Sequence, residues 1–209
     1  YLREEIQAEA LTRNLEGFSR FFDLLCSRSG DFVDLSKFAS LAQIERTSAR
    51  RYFDIVIDTM IATPVEAFTK STKRRLIQHP KFYFFDVGVL IVCLCNFELS
   101  NDLNGMLFEH LCLLMLVSEF KARDQDFRVS VYRTEAGAEV DFIIERGKNI
   151  FAIEVKATRT IGTHDLRGLK SFADFFGKKH QAIVFYLGEN ELEIDGIRIL
   201  PFSKIPTVL

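Results

Sequence analysis

Several features are scarce in this chain of 209 residues, and each scarcity excludes something. Its four cysteines, Cys26, Cys93, Cys95 and Cys112, form no C-x-x-C pair and sit in apolar or helix-like stretches without a signal peptide before them. That argues against a disulfide framework or thiolate metal site and for reduced core residues in a cytoplasmic protein. Histidines number four and none forms H-x-x-x-H, so a histidine-based zinc site has no support. No G-x-x-x-x-G-K-[ST] loop occurs, and nucleotide hydrolysis is not expected of this segment. The longest apolar stretch, Val87 to Cys95, is too short to cross a bilayer and is fenced by Asp86 and Asn96, so a buried segment is expected there and no membrane partner. Neither sign of charge dominates: Lys and Arg total 27, Asp and Glu 29, for a net charge of −2. A protein that coats nucleic acid by bulk charge is thereby excluded, while a local basic patch is not. The chain opens on Tyr1 in a segment that already looks helical, from which a longer polypeptide is expected.

What is present reads as two parts. Across Tyr1 to Arg28, apolar residues at Leu11, Leu15, Phe18, Phe22 and Leu25 have the spacing of an amphipathic helix, which Gly30 stops. Ser36 is placed to cap a short helix through Gln43, and after the turn Ile44-Glu45-Arg46 either Thr47 or Ser48 can cap a second helix to about Thr59. Met60 to Phe68, interrupted by Pro64, and the aromatic run Phe82-Tyr83-Phe84-Phe85 read as strands around a loop carrying Lys70, Lys73, Arg74 and Arg75. The expectation is a helical, winged-helix-like domain over residues 1–85. DNA contact there would rest on Lys73, Arg74 and Arg75 and on Arg50, beside Arg46 and Arg51 near the start of the second helix. A plain three-helix packing module is the alternative, because Asp54 and Asp58 would repel phosphate.

Residues 86–209 change character. Gly105 is expected to open a long helix, Met106 to Phe120, apolar nearly all round and therefore buried. Strand-like runs follow at Arg128–Arg133, Glu139–Glu145 and Ile150–Ala157, then a helix over His164–Phe176 and a strand over Gln181–Leu187. The order is α-β-β-β-α-β. Alternation in the third strand puts Glu154 and Lys156 on one face, and Asp141 lies opposite the apolar set Val140, Phe142 and Ile144. A hairpin through the Gly147 turn can set Asp141 beside Glu154. Glu109 interrupts the apolar helix, where an unpartnered carboxylate would cost several kcal/mol. Its partner is either a cation held by Asp141 and Glu154 or the side chain of Arg133 or Lys156. Hard carboxylate oxygens of this kind suit Mg²⁺ or Mn²⁺, and such an ion with a nearby lysine is a setting for phosphodiester hydrolysis. Tyr132 and Arg133 on the first strand are placed to reach a phosphate or to cover the sheet edge.

Glu109, Asp141 and the triplet Glu154-Val155-Lys156 in this order resemble the PD-(D/E)xK nuclease superfamily, although Val140 stands where the family name has proline. More broadly the chain resembles domain of unknown function 4143, the C-terminal domain that follows an AAA-type ATPase in many prokaryotic proteins. Tyr1-Leu2-Arg3-Glu4-Glu5-Ile6, Ser29-Gly30, the run Pro80 to Gly88, Gly105-Met106-Leu107-Phe108-Glu109, Tyr132-Arg133, Glu139-Val140-Asp141-Phe142 and Ile153-Glu154-Val155-Lys156 carry that likeness over nearly the full length. The resemblance implies an α/β fold in which the winged-helix-like domain precedes a restriction-endonuclease-like αβββαβ core with a mixed sheet. It implies Asp141 and Glu154 as metal ligands, Glu109 and Lys156 as catalytic groups, and an upstream ATPase domain in the same polypeptide as partner. The function expected is a metal-dependent nuclease acting on DNA. The alternative is a non-catalytic DNA- or protein-binding tail that regulates the ATPase.

Overall fold

In a computed structural model describing residues 14–69, 79–94 and 101–208, the leading amphipathic repeat forms helix α1 (Leu15–Cys26), with Phe18, Phe21, Leu25 and Cys26 on its buried face. The expected helical residues before Asn14 lie outside the described residues, as do Lys70, Lys73, Arg74 and Arg75. Helix α2 (Leu35–Leu41) is capped by Asp34 instead of Ser36. The Asp34 carboxylate accepts hydrogen bonds from the amides of Ser36 and Lys37, both at 3.0 Å. A carboxylate there also faces the positive end of the helix dipole, an advantage the serine hydroxyl lacks. Helix α3 (Arg46–Asp58) begins ahead of the expected Thr47 or Ser48 cap, on Glu45, which makes no side-chain cap bond. Its buried side carries Ala49, Tyr52, Phe53, Ile55 and Val56.

Strands β1 (Ala62–Val65) and β2 (Lys81–Phe84) make a two-stranded sheet. Pro64 is tolerated in β1 because, among the described residues, that strand pairs on one side alone, with β2. Helix α4 (Val87–Leu94) corrects the expectation of a buried apolar segment: Leu90 is buried, but Val89 and Val92 are exposed. A short helix packed on one side can bury only one stripe.

The chain divides into two compact units, one within Tyr1–Pro64 and Lys81–Glu98, the other within Val65–Pro80 and Leu99–Leu209. A single cut after Phe85 therefore does not describe the division. The core of the first unit is aromatic, Phe18, Phe21, Phe38, Tyr52, Phe53 and Phe82 meeting edge to face.

In the second unit, helix α5 (Asn101–Ala122) runs through Gly105 instead of starting at it. A mid-helix glycine costs about 1 kcal/mol relative to alanine, too little to end a helix of 22 residues. Nor is α5 buried all round: Leu107, Phe108, His110, Cys112, Leu113, Leu116 and Phe120 are buried while Leu111 is exposed. By length and composition Leu103–Ala122 could cross a membrane, a test that core helices also pass. Here α5 packs on the sheet and on the short helix α7 (Ile205–Val208).

The sheet has six strands: β3 (Arg128–Arg133), β4 (Glu139–Arg146), β5 (Asn149–Lys156), β6 (Gln181–Tyr186), β7 (Leu192–Ile194) and β8 (Ile197–Pro201), in spatial order β3-β4-β5-β6-β8-β7. β3, β4 and β5 are antiparallel neighbours, β5-β6 and β6-β8 run parallel, and β7 closes antiparallel on β8. The fold class is thus α/β with a mixed sheet, and the expected α-β-β-β-α-β order is present. Strands β7 and β8 go beyond it. They are joined at Asp195-Gly196, both at positive φ (54° and 76°), the backbone that a two-residue hairpin turn demands. Helix α6 (Arg167–Phe176) lies across β4 and β5, burying Leu169, Phe172 and Phe175 against Tyr132, Ile143, Ala152 and Val184. It can do so because residue 168 is glycine: a Cβ there would run into the Glu139 carbonyl oxygen.

Candidate active site at the ends of two central strands

The β4-β5 hairpin positions the central carboxylates. Phe142 pairs with Ile153 and Ile143 with Ala152, so the same register one residue further sets Asp141 opposite Glu154. Asp141 Oδ2 accepts a hydrogen bond from the Val155 amide at 2.8 Å, which locks that carboxylate to the neighbouring strand. Glu154 and Lys156 share a face by strand alternation, and Lys156 Nζ donates to Glu154 Oε1 at 2.7 Å. Asp141 is 8% exposed and Glu154 7%, so both carboxylates are held largely out of water. Glu154 Oε2 is buried and has no hydrogen-bond partner. An unsatisfied buried carboxylate oxygen costs energy, so this atom calls for a physical explanation.

The electrostatics agree with that geometry. Burial pushes Glu154 up to about 6; the Lys156 ammonium opposes the rise, and the charges of Glu109 and Glu139 add to it. Burial alone would depress Lys156, but Glu154, Asp141 and Asp165 outweigh it and hold the ammonium above its ordinary value. The Cys112 thiol is pushed up, first by burial and then by the charges of Asp141 and Glu109, so Cys112 is an inert core group. These couplings place Glu109 of α5 within electrostatic reach of Glu154. Glu109 is only half-buried, less enclosed than its apolar helix predicts.

The structure therefore brings Asp141, Glu154 and Lys156 together, with Glu109 within their field. Lys156 is engaged by Glu154, and Arg133 lies 3.6 Å from Glu139, the residue facing it across β3 and β4. Among the described residues no three His, Cys, Asp or Glu side chains stand close enough to hold a metal ion as a group. Asp141 and Glu154 are the two carboxylates that the hairpin brings together, and Glu154 keeps one buried oxygen without a hydrogen-bond partner. Arg50 is exposed on α3, in the other unit. Sequence reasoning missed Glu139, Asp165 and Gly168. Glu139 was legible in principle, two residues before Asp141 on the same strand; Asp165 and Gly168 matter only through the way α6 seats on β4.

Residues 104–205 match the family model of a domain of unknown function, DUF4143. The DUF4143 segment takes in all the residues of this site, and residues 1–100 match a second domain of unknown function, DUF8612. The junction between the two matches falls close to the start of α5 at Asn101. Over 198 residues the chain is 23% identical to Uncharacterized protein Rv2008c of Mycobacterium tuberculosis and equally to Uncharacterized protein Mb2031c of Mycobacterium bovis. The aligned stretch is 90% of this chain but 42% of each relative, so the chain spans less than half the length of the curated relatives it matches.

Proposed function

We propose that the second unit is a metal-dependent nuclease module of the PD-(D/E)xK kind, cutting phosphodiester bonds in DNA. The observation that carries this is the buried, unpartnered Glu154 Oε2 opposite Asp141, in a field where Glu109 and Glu139 add negative charge and Lys156 is the adjacent ammonium. Excess buried carboxylate is expensive unless a cation offsets it. Asp141 and Glu154 would hold Mg²⁺ or Mn²⁺, with Glu109 reaching it directly or through water. Such an ion supplies Lewis-acid stabilisation of the phosphate and an acidified water. Lys156, kept protonated by its carboxylate neighbours, is suited to donate a hydrogen bond to the developing charge on phosphate oxygens. Hydrogen bonding from the Val155 amide fixes Asp141, so its position costs no reorganisation when substrate arrives.

For the first unit the finer reading is a winged helix, supported by two helices joined through a short turn and followed by a two-stranded sheet. An AAA-type ATPase domain in the same polypeptide is the proposed upstream partner, an arrangement for which the greater length of the relatives leaves room.

Calorimetric titration of Mn²⁺ and Mg²⁺ into the chain, beside the Asp141→Ala/Glu154→Ala variant, tests the reading. Binding in the parent alone supports a metal site and leads to cleavage assays on DNA. Absence of binding in both returns the carboxylates to a structural role and favours the regulatory-tail alternative.

A further inference from the structure

Strand β5 carries Glu154 and Lys156 and ends there; the chain then turns at once, the Thr158 amide donating to the Lys156 carbonyl at 2.8 Å. Immediately beyond lies an open pocket of about 480 Å³ lined by Thr158, Thr160, Ile161, Gly162, His164 and Asp165. That volume is in the range of small-ligand sites, roughly 300–1,000 Å³. Asp165 is its one acidic lining residue, and both carboxylate oxygens are in use: Oδ2 accepts from the Gly162 amide at 2.9 Å and Oδ1 lies 3.2 Å from His164 Nε2. Ile161 offers an apolar wall, and the Thr158 and Thr160 side chains line the same opening.

Two arginines flank this pocket in sequence. Arg159 lies between its two threonines, and Arg167 follows the turn that carries His164 and Asp165. Both are exposed, and neither has an ion pair or side-chain hydrogen bond among the described residues. Several other cations of the unit are engaged: Lys170 with Asp195 at 2.6 Å, Lys204 with Glu191 at 2.9 Å, and Arg123 with Glu119 at 3.3 Å. Exposed arginines are ordinarily just solvated. These two differ in position, since they bracket a pocket that begins two residues after the lysine of the site. With Lys156 and His164 they make a run of basic side chains interrupted by a single, internally bonded aspartate.

We infer that this loop is the track for the nucleic-acid strand at the site: Arg159 and Arg167 hold backbone phosphates, and the pocket takes one unstacked nucleotide next to the phosphate at Lys156. The inference rests on the phosphodiester reading of the site and specifies how its substrate is gripped. Arginine suits the task because its fork bonds phosphate oxygens in a bidentate way, and contacts to the backbone set position without reading sequence. An apolar wall beside polar rims is likewise what an unstacked base needs.

The test is fluorescence anisotropy of a short labelled oligothymidine with the whole chain, Ca²⁺ replacing Mg²⁺, across about 50 to 200 mM salt. Two lost phosphate contacts to a single strand should lower the slope of log K against log salt by about 1.4 in Arg159→Ala/Arg167→Ala. Over that fourfold salt range the variant should lose about sevenfold less affinity than the parent. Arg159→Lys/Arg167→Lys, which keeps the charge, should restore the slope. An unchanged slope in the alanine variant, with the parent binding normally, overturns the track and leaves the metal site standing. No binding by the parent overturns the track as well. In that case calorimetry decides whether the metal reading falls with it, because Mn²⁺ uptake does not depend on either arginine.

Discussion

Replacing Glu154 by Gln isolates the energetic cost of the buried carboxylate. Glu154 is raised from its ordinary value of 4.5 to about 6 in the fold, chiefly by burial. At about 1.4 kcal/mol per pH unit the folded state is disfavoured by about 2 kcal/mol when the group is ionised. Because the folded pKa exceeds the unfolded one, that cost is absent below about pH 4.5, grows as pH rises towards 6, and is complete above it. Glu154→Gln keeps the shape and removes the charge, so its stability lacks this dependence. The amide adds an offset of its own, from its N–H groups and the lost Lys156 partner. What discriminates is the change in the gap between the two proteins. From about pH 4 to about pH 7.5, without metal, the gap should move by about 2 kcal/mol in favour of Glu154→Gln. Urea unfolding followed by circular dichroism suits the measurement, the chain having no tryptophan to report by fluorescence. Added Mn²⁺ should then stabilise the parent alone, by about 2.7 kcal/mol at a hundred times Kd. A gap that stays constant across the pH range would refute the reasoning, since Glu154 would not then be a carboxylate held at a cost.

Other outcomes follow from the packing. Gly168→Ala places a methyl against the Glu139 carbonyl, so α6 must shift; a loss of about 1–3 kcal/mol in urea unfolding is expected, with weaker Mn²⁺ binding because Glu154 Oε2 lies near the same spot. Asp34→Ala removes the acceptor of two amide bonds at the start of α2 and should cost about 1 kcal/mol by thermal unfolding, without altering metal binding by the second unit.

The strands of the second unit were legible because their signals are local. Alternation set Glu154 beside Lys156, and Gly147 set the hairpin that brings Asp141 opposite Glu154, so these three residues needed no tertiary knowledge to be found. The β7-β8 hairpin had a local signal as well, in Asp195-Gly196. The cap of α2 is local too but went to a different residue, and the remaining features are not local. Asp34 took the cap of α2 from Ser36 because a carboxylate gains from the helix dipole as well as from its hydrogen bonds. Glu109 was expected to be buried by its apolar neighbours, yet it is half-exposed, since exposure depends on what covers a helix and not on the helix itself. Asp165 became part of the site's electrostatics only when α6 settled on β4, which the missing side chain of Gly168 permits. Sequence by itself determined the α-β-β-β-α-β order of the second unit as far as β6 and the trio at the hairpin, because strand alternation and turn chemistry act over a few residues. Only the tertiary structure decided which charges surround that trio and which carboxylate oxygen is left without a partner, because burial and electrostatic coupling depend on distances between segments far apart in the chain.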